Sequence, residues 1–162
     1  MSSTAQPVSI ISTAPGVFTV PPTGQANAVL VYVDPTDGIA KIAAPASQSA
    51  LFSIPAAPIP RDTPGFFYAT GLGILTPTIT DGNAPILTDP NAVVHYATTP
   101  VVLIGGITAE VDFAGQAPGY PGVNQVNIVI PNGAPIGNAV PLQFQTQGGA
   151  IISTPGATIA VR

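Results

Sequence analysis

Leu142-Gln143-Phe144-Gln145 alternates apolar and amide side chains residue by residue, the period of a strand with one face in a core and the other in water. Leucine and phenylalanine are expected to point inward and both glutamines outward. Val126-Asn127-Ile128-Val129-Ile130 is apolar on both faces apart from its asparagine, which places it centrally in its sheet. The same short apolar runs recur at residues 8–11, 17–20, 28–33, 66–69, 101–104, 109–113 and 158–161. Runs of that length separated by turn residues have the spacing of a β-sandwich or barrel and not of helices.

The punctuation between these runs agrees. Asp34-Pro35-Thr36-Asp37-Gly38, Asp81-Gly82-Asn83, Gly105-Gly106, Asn132-Gly133 and Gly148-Gly149 supply the positive backbone φ that tight turns require. Residues 43–60 are rich in Ala, Ser and Pro, with prolines at 45, 55, 58 and 60, and read as a long irregular connection. A short helical turn fits within it at residues 47–52. A second long excursion, residues 76–100, mixes threonine and proline with turn signals. No internal repeat stands out.

Composition bounds the function. The 162 residues suit one domain, long enough to bury a core without disulfides or metal. Only 6% of the chain is charged, against about 25% in an ordinary soluble domain. Three basic residues, seven acidic ones, one histidine and no cysteine leave little from which to assemble a nucleophile, a base and an orienting group. The expectation is therefore no enzyme activity and no cofactor. A net charge of −4 offers no basic patch for a phosphate backbone, so nucleic acid is not an expected partner. The apolar stretches are too interrupted to span a bilayer as a helix. Met1-Ser2-Ser3-Thr4-Ala5-Gln6 has neither the basic flank nor the apolar core of a secretory signal, as in a cytoplasmic chain or a mature, trimmed one.

The candidate chemistry is thin. His95 lies in Val93-Val94-His95-Tyr96, where no nucleophile or orienting carboxylate is evident, and one histidine without cysteine cannot hold zinc. Asp34, Asp37 and Asp81-Gly82-Asn83 have the oxygen-rich look of calcium loops. They lack the ligand spacing of an EF-hand, and aspartate in turns is explained by local backbone hydrogen bonds. Glu110 and Asp112 alternate with Val111 and Phe113, so both carboxylates share one strand face. That is the pattern of a solvated face more than of a glycosidase pair. Tyr68-Ala69-Thr70-Gly71-Leu72-Gly73 contains Gly-x-Gly without the third glycine or helix that phosphate binding needs, and reads as a bent strand end. Tyr32, Tyr68, Tyr96 and Tyr120 are candidates for a sugar-stacking platform, or for ordinary core and rim positions. Threonine beside proline at Thr76, Thr78, Thr98 and Thr99 suits O-glycosylation.

From Ala14 onward the chain resembles the uncharacterised C-terminal domain family common in secreted proteins of Solibacter and related acidobacteria. The resemblance is carried by Ala14-Pro15-Gly16-Val17-Phe18, Phe67-Tyr68-Ala69-Thr70-Gly71-Leu72-Gly73, Val102-Leu103-Ile104-Gly105-Gly106 and Phe113-Ala114-Gly115-Gln116-Ala117-Pro118-Gly119. It continues through Asn124-Gln125-Val126-Asn127, Ile130-Pro131-Asn132-Gly133-Ala134-Pro135 and Gly137-Asn138-Ala139-Val140-Pro141. The chain departs from that pattern at Arg61-Asp62-Thr63-Pro64, where a remodelled loop is expected. The resemblance implies an immunoglobulin-like β-sandwich in exported, surface-associated proteins, with no assigned activity.

Family members carry an upstream immunoglobulin-like module whose last strand leads into the Ala14 motif, and here only the strand-like residues 7–13 stand in its place. The expected organisation is thus a protruding strand segment, residues 1–13, followed by a single sandwich domain, residues 14–162, with long Pro/Thr-rich connections. An unpaired apolar strand is a liability in water unless it completes a neighbour's sheet, and head-to-tail contacts of that kind build filaments. The expected function is an extracellular or cell-surface structural subunit that polymerises with copies of itself by strand addition. Val8, Ile10 and Ile11 are the inserted residues, and covalent glycans are candidate additions. The alternative is a secreted adhesion module that recognises glycan or protein through loops at one end of the sandwich.

Overall fold

The computed structural model describes residues 12–22, 26–80, 82–83, 95–145, 149–152 and 156–162. Among them lie β1 (Gly16–Val17), β2 (Thr19–Val20), β3 (Asn27–Ala28), β4 (Leu30–Val33), β5 (Ala40–Ile42), β6 (Pro64–Thr70) and β7 (Leu75–Thr76). The remainder are β8 (His95–Tyr96), β9 (Val101–Ile104), β10 (Ile107–Gln116), β11 (Asn124–Val129), β12 (Gly137–Gln145) and β13 (Thr158–Val161). The one helical element described is a 3-10 turn, Ala46–Leu51. The protein is all-β, as its apolar periodicity requires.

The thirteen strands form one curled sheet in the order β2-β3-β13-β12-β9-β10-β11-β6-β4-β5. Off this path, β1 pairs with β6, while β8 pairs with β7 and β10. Curling is achieved by strands that change partner along their length. The first half of β10 pairs with β9 and the second with β11, with a register shift between Val111 and Phe113. A bulge of that kind bends and twists a strand around a corner. β12 does the same, pairing with β13 through Pro141 and with β9 from Leu142 onward. Phe18 marks a third switch: its N–H donates to the Tyr68 carbonyl at 3.1 Å, and its own carbonyl accepts the Val29 N–H at 2.9 Å. The run expected at residues 17–20 is therefore divided between two partners.

Backbone bonds across the remaining gap tie the two ends of the sheet together. Ile59 N–H donates to Ala160 O, Ala160 N–H to Ala43 O, and Ala43 N–H to Leu30 O, each at 2.8–2.9 Å. Inside the curl, Leu30, Phe67, Val102, Ile104, Val126, Ile128, Leu142, Phe144 and Ile159 are fully buried. Each such side chain contributes about 1.5–3 kcal/mol of burial. Phe67 and Phe144 meet with ring centroids 5.8 Å apart. β11 is central, between β10 and β6, and Leu142 and Phe144 point inward while Gln143 and Gln145 stay half-buried.

Outside β4, the Pro-rich connection lays a second, smaller apolar cluster. Ile42, Ala44 and Ala56 are buried there, with Val29, Val31, Phe52 and Ile54 packed against them. Three short strands, β5, β7 and β8, had no counterpart among the sequence expectations, and His95 sits on one of them instead of in a loop. The Arg61–Asp62 departure is a tight turn: Asp62 has φ 56°, its N–H donates to Ile130 O at 2.9 Å, and the Arg61 Nε donates to Ala134 O at 2.7 Å. Two glycines are required by close approach. A Cβ at Gly71 would sit 2.1 Å from Ala14 O, and one at Gly105 would sit 2.2 Å from the Pro135 ring. No helix among the described residues is long and apolar enough to cross a membrane.

Candidate functional site

Val8, Ile10 and Ile11 lie outside the described residues, as does Asp81. Thr76, Thr78, Thr98 and Thr99 are all exposed, as O-glycosylation would require. Thr98 and Thr99 stand on the rim of a groove whose other walls are Thr13, Pro15, Leu72, Phe144 and Ile152. The groove has room for about 250 Å³, with Thr13 in its wall. Ala14 is fixed beside it by its N–H bond to Gly71 O, 2.8 Å. Opposite, Ile152 N–H donates to Phe144 O at 3.0 Å.

The acidic turns serve the fold. Asp34 is 2% exposed, and its carboxylate accepts from Thr36 Oγ1 at 2.6 Å, Thr36 N–H at 3.0 Å, Lys41 Nζ at 2.9 Å and Arg162 Nη2 at 3.1 and 3.2 Å. Those bonds, the Thr36 hydroxyl foremost, hold its carboxyl well below the usual carboxylate range. Asp37 accepts from Lys41 at 2.6 Å and from Ile39 N–H at 2.9 Å, and is lowered for the same reason. The two carboxylates in turn raise Lys41. A carboxylate so occupied by its own chain closes the β4–β5 turn and pins the C-terminal residue. With Arg61 on Ala134 O, all three basic side chains of the protein are engaged internally.

Glu110, Asp112 and His95 are exposed, and no group of three or more His, Cys, Asp or Glu side chains is close enough among the described residues to hold a metal ion. Tyr68-Ala69-Thr70 ends β6, and Gly71 and Gly73 take positive φ of 71° and 112°, so the Gly-x-Gly is a strand end.

The four tyrosines divide into two pairs. Tyr32 is buried, its hydroxyl donating to Ala57 O or Pro58 O at 3.1 Å, and burial raises its pKa. Tyr96 is likewise buried, which pushes it up to about 12 against a hydrogen bond with Asn124. Tyr68 and Tyr120 instead meet on the outer face of the sheet, where they line a shallow depression with Phe18, Val29 and Val123. Tyr120 is 63% exposed and Phe18 44%. Phe66 adjoins, edge-on to Tyr68 at 5.7 Å and 77°, and leads into a second depression lined by Val31, Val33, Asp112 and Asn127. Across the β6–β11 ladder, Gln125 stands opposite Tyr68 and Asn127 opposite Phe66. Gln125 Nε2 donates to Asn127 Oδ1 at 2.8 Å. Phe18, Tyr68 and Tyr120 are far apart in the chain; the partner switch sets Phe18 beside Tyr68, and the turn between Ala117 and Val123 carries Tyr120.

No protein-family profile matches this chain, and no curated protein or solved structure matches it significantly.

Proposed function

We propose that the protein is a non-enzymatic, extracellular structural subunit that assembles with copies of itself by β-strand addition. The observation that carries the reading is the surface. All three cations are consumed within the chain, while Ile74, Ile136, Val33, Leu51 and Ile39 are each at least half exposed. A surface with so little free charge, and with these large apolar side chains exposed on it, supports burial against other molecules. The groove between Thr13 and Ile152 suits an inserted strand, because its lining includes the apolar side chains of Pro15, Leu72, Val101 and Ile152 and side chains of a strand enter such a groove at alternate positions.

In this reading Val8 and Ile10 of one copy enter the groove of the next, with Ile11 at its rim. The contact is heterologous, so it propagates into a filament. The immunoglobulin-like sandwich assignment belongs to the same proposal, supported by the partner-switching strands and by the motif resemblance. Exposed Thr98 and Thr99 at the groove rim are the glycan attachment points that bear on assembly. Sedimentation velocity of the full chain against V8D/I10D tests the reading. The wild type is expected to sediment as large polymers and the variant as a folded monomer. Polymers of equal size from both would overturn strand addition through these residues.

A further inference from the structure

Beyond self-assembly, we infer that the outer face of β6 and β11 is a binding site for a neutral polysaccharide chain. A sugar ring presents two kinds of surface at once: C–H faces that stack on aromatic rings, and equatorial hydroxyls that need donors and acceptors beside those rings. This face supplies both in register. Tyr68 stands opposite Gln125, and Phe66 opposite Asn127, so each aromatic ring has a carboxamide beside it at the spacing of a cross-strand pair. The 2.8 Å bond from Gln125 Nε2 to Asn127 Oδ1 orients both amides, leaving the Gln125 oxygen as acceptor and the Asn127 nitrogen as donor toward the face.

Tyr120 and Phe18 extend the aromatic row beyond Tyr68. Two depressions, with room for about 320 Å³ and about 460 Å³, meet at the Phe66–Tyr68 edge contact and suit successive units of one chain. Charge selects the ligand class. Lys41, Arg61 and Arg162 are all engaged with their own chain, and the ionisable side chain at the face is the carboxylate of Asp112. An anionic glycan would find no cation there and would meet that carboxylate. A purely apolar peptide would strand the amide row without partners. The occupant is therefore a neutral sugar polymer.

Affinity electrophoresis of the full chain in native gels containing hydroxyethylcellulose, xylan, laminarin or dextran, with carboxymethylcellulose as the charged counterpart, tests the site. At least one neutral polymer is expected to retard the protein, and carboxymethylcellulose is expected not to. Y68A and Q125A, both altering half-buried outer side chains, should each weaken retardation by about threefold to tenfold. Y120A, whose side chain is 63% exposed, provides the same readout with little disturbance to the core. Absence of retardation by every neutral polymer would overturn the proposal, as would retardation unchanged in all three variants. It would equally fail if Y68A reduced the sedimenting size of the protein while sugar binding was absent, because the face would then be an interface between copies.

Discussion

Arg162 Nη2 lies 3.1 Å from Asp34 Oδ1, joining the last residue of the chain to a turn 128 positions earlier. Asp34 also holds Lys41 and Thr36, so one buried carboxylate fixes both the β4–β5 turn and the end of β13. A carboxyl whose pKa is lowered by folding contributes stability above its unfolded value of 3.8 and loses it as pH falls through the folded value. Asp37 adds to the same trend. Lys41, raised by both, contributes below its unfolded value of 10.5 and ceases to do so at higher pH. The melting temperature is expected to be level between these limits and to fall on the acid side of pH 3.8. D34N should lower it at neutral pH and flatten most of the acid dependence, as followed by circular dichroism across a pH series.

Gly71 sits where β6 ends and the N-terminal segment crosses it. Its φ is 71°, and a Cβ at this position would lie 2.1 Å from Ala14 O, so no side chain fits without moving backbone. G71A is expected to destabilise by at least about 1–3 kcal/mol, in urea unfolding monitored by tyrosine fluorescence. A change within experimental scatter would show that Ala14 is not held against the strand end.

Phe144 fills the centre of the curl against Phe67 and lies buried beneath the groove. F144A should cost about 3–5 kcal/mol. F144L, nearer in volume, should cost far less. Urea unfolding of the full chain reads both values, and equal losses from the two variants would contradict a close-packed ring at this position.

Several elements are legible in the amino-acid sequence alone. Val101–Ile104 and Thr158–Val161 coincide with their apolar runs, because each is buried and bounded by Pro or Gly. Gly105-Gly106 closes the β9–β10 hairpin with φ of 59° and 84°, the two positive values that such a turn demands. Other elements are not legible there. β7 and β8 are two residues each, too short for any period; β8 forms because β10 offers it an edge, and β7 pairs in turn with β8. β12 starts at Gly137, well before Leu142, since its first half follows β13 and not the hydrophobic alternation.

The aromatic–amide face shows the same limit. Tyrosine content suggested a platform of four, but burial removes Tyr32 and Tyr96, and the partners of the remaining two, Phe18, Phe66, Gln125 and Asn127, are set by register. Register is a property of paired strands and has no trace in the spacing of one.

The most direct measurement of strand addition uses the absence of cysteine from the chain. One preparation carries I10C and a second carries T99C, at the rim of the groove; the two are mixed, allowed to assemble and oxidised. The account predicts a disulfide between the two kinds of chain, at a yield well above that of either preparation alone, and its loss when V8D is added to the first. Assembly without that cross-link, or a disulfide formed within a single chain carrying both cysteines at high dilution, would contradict it.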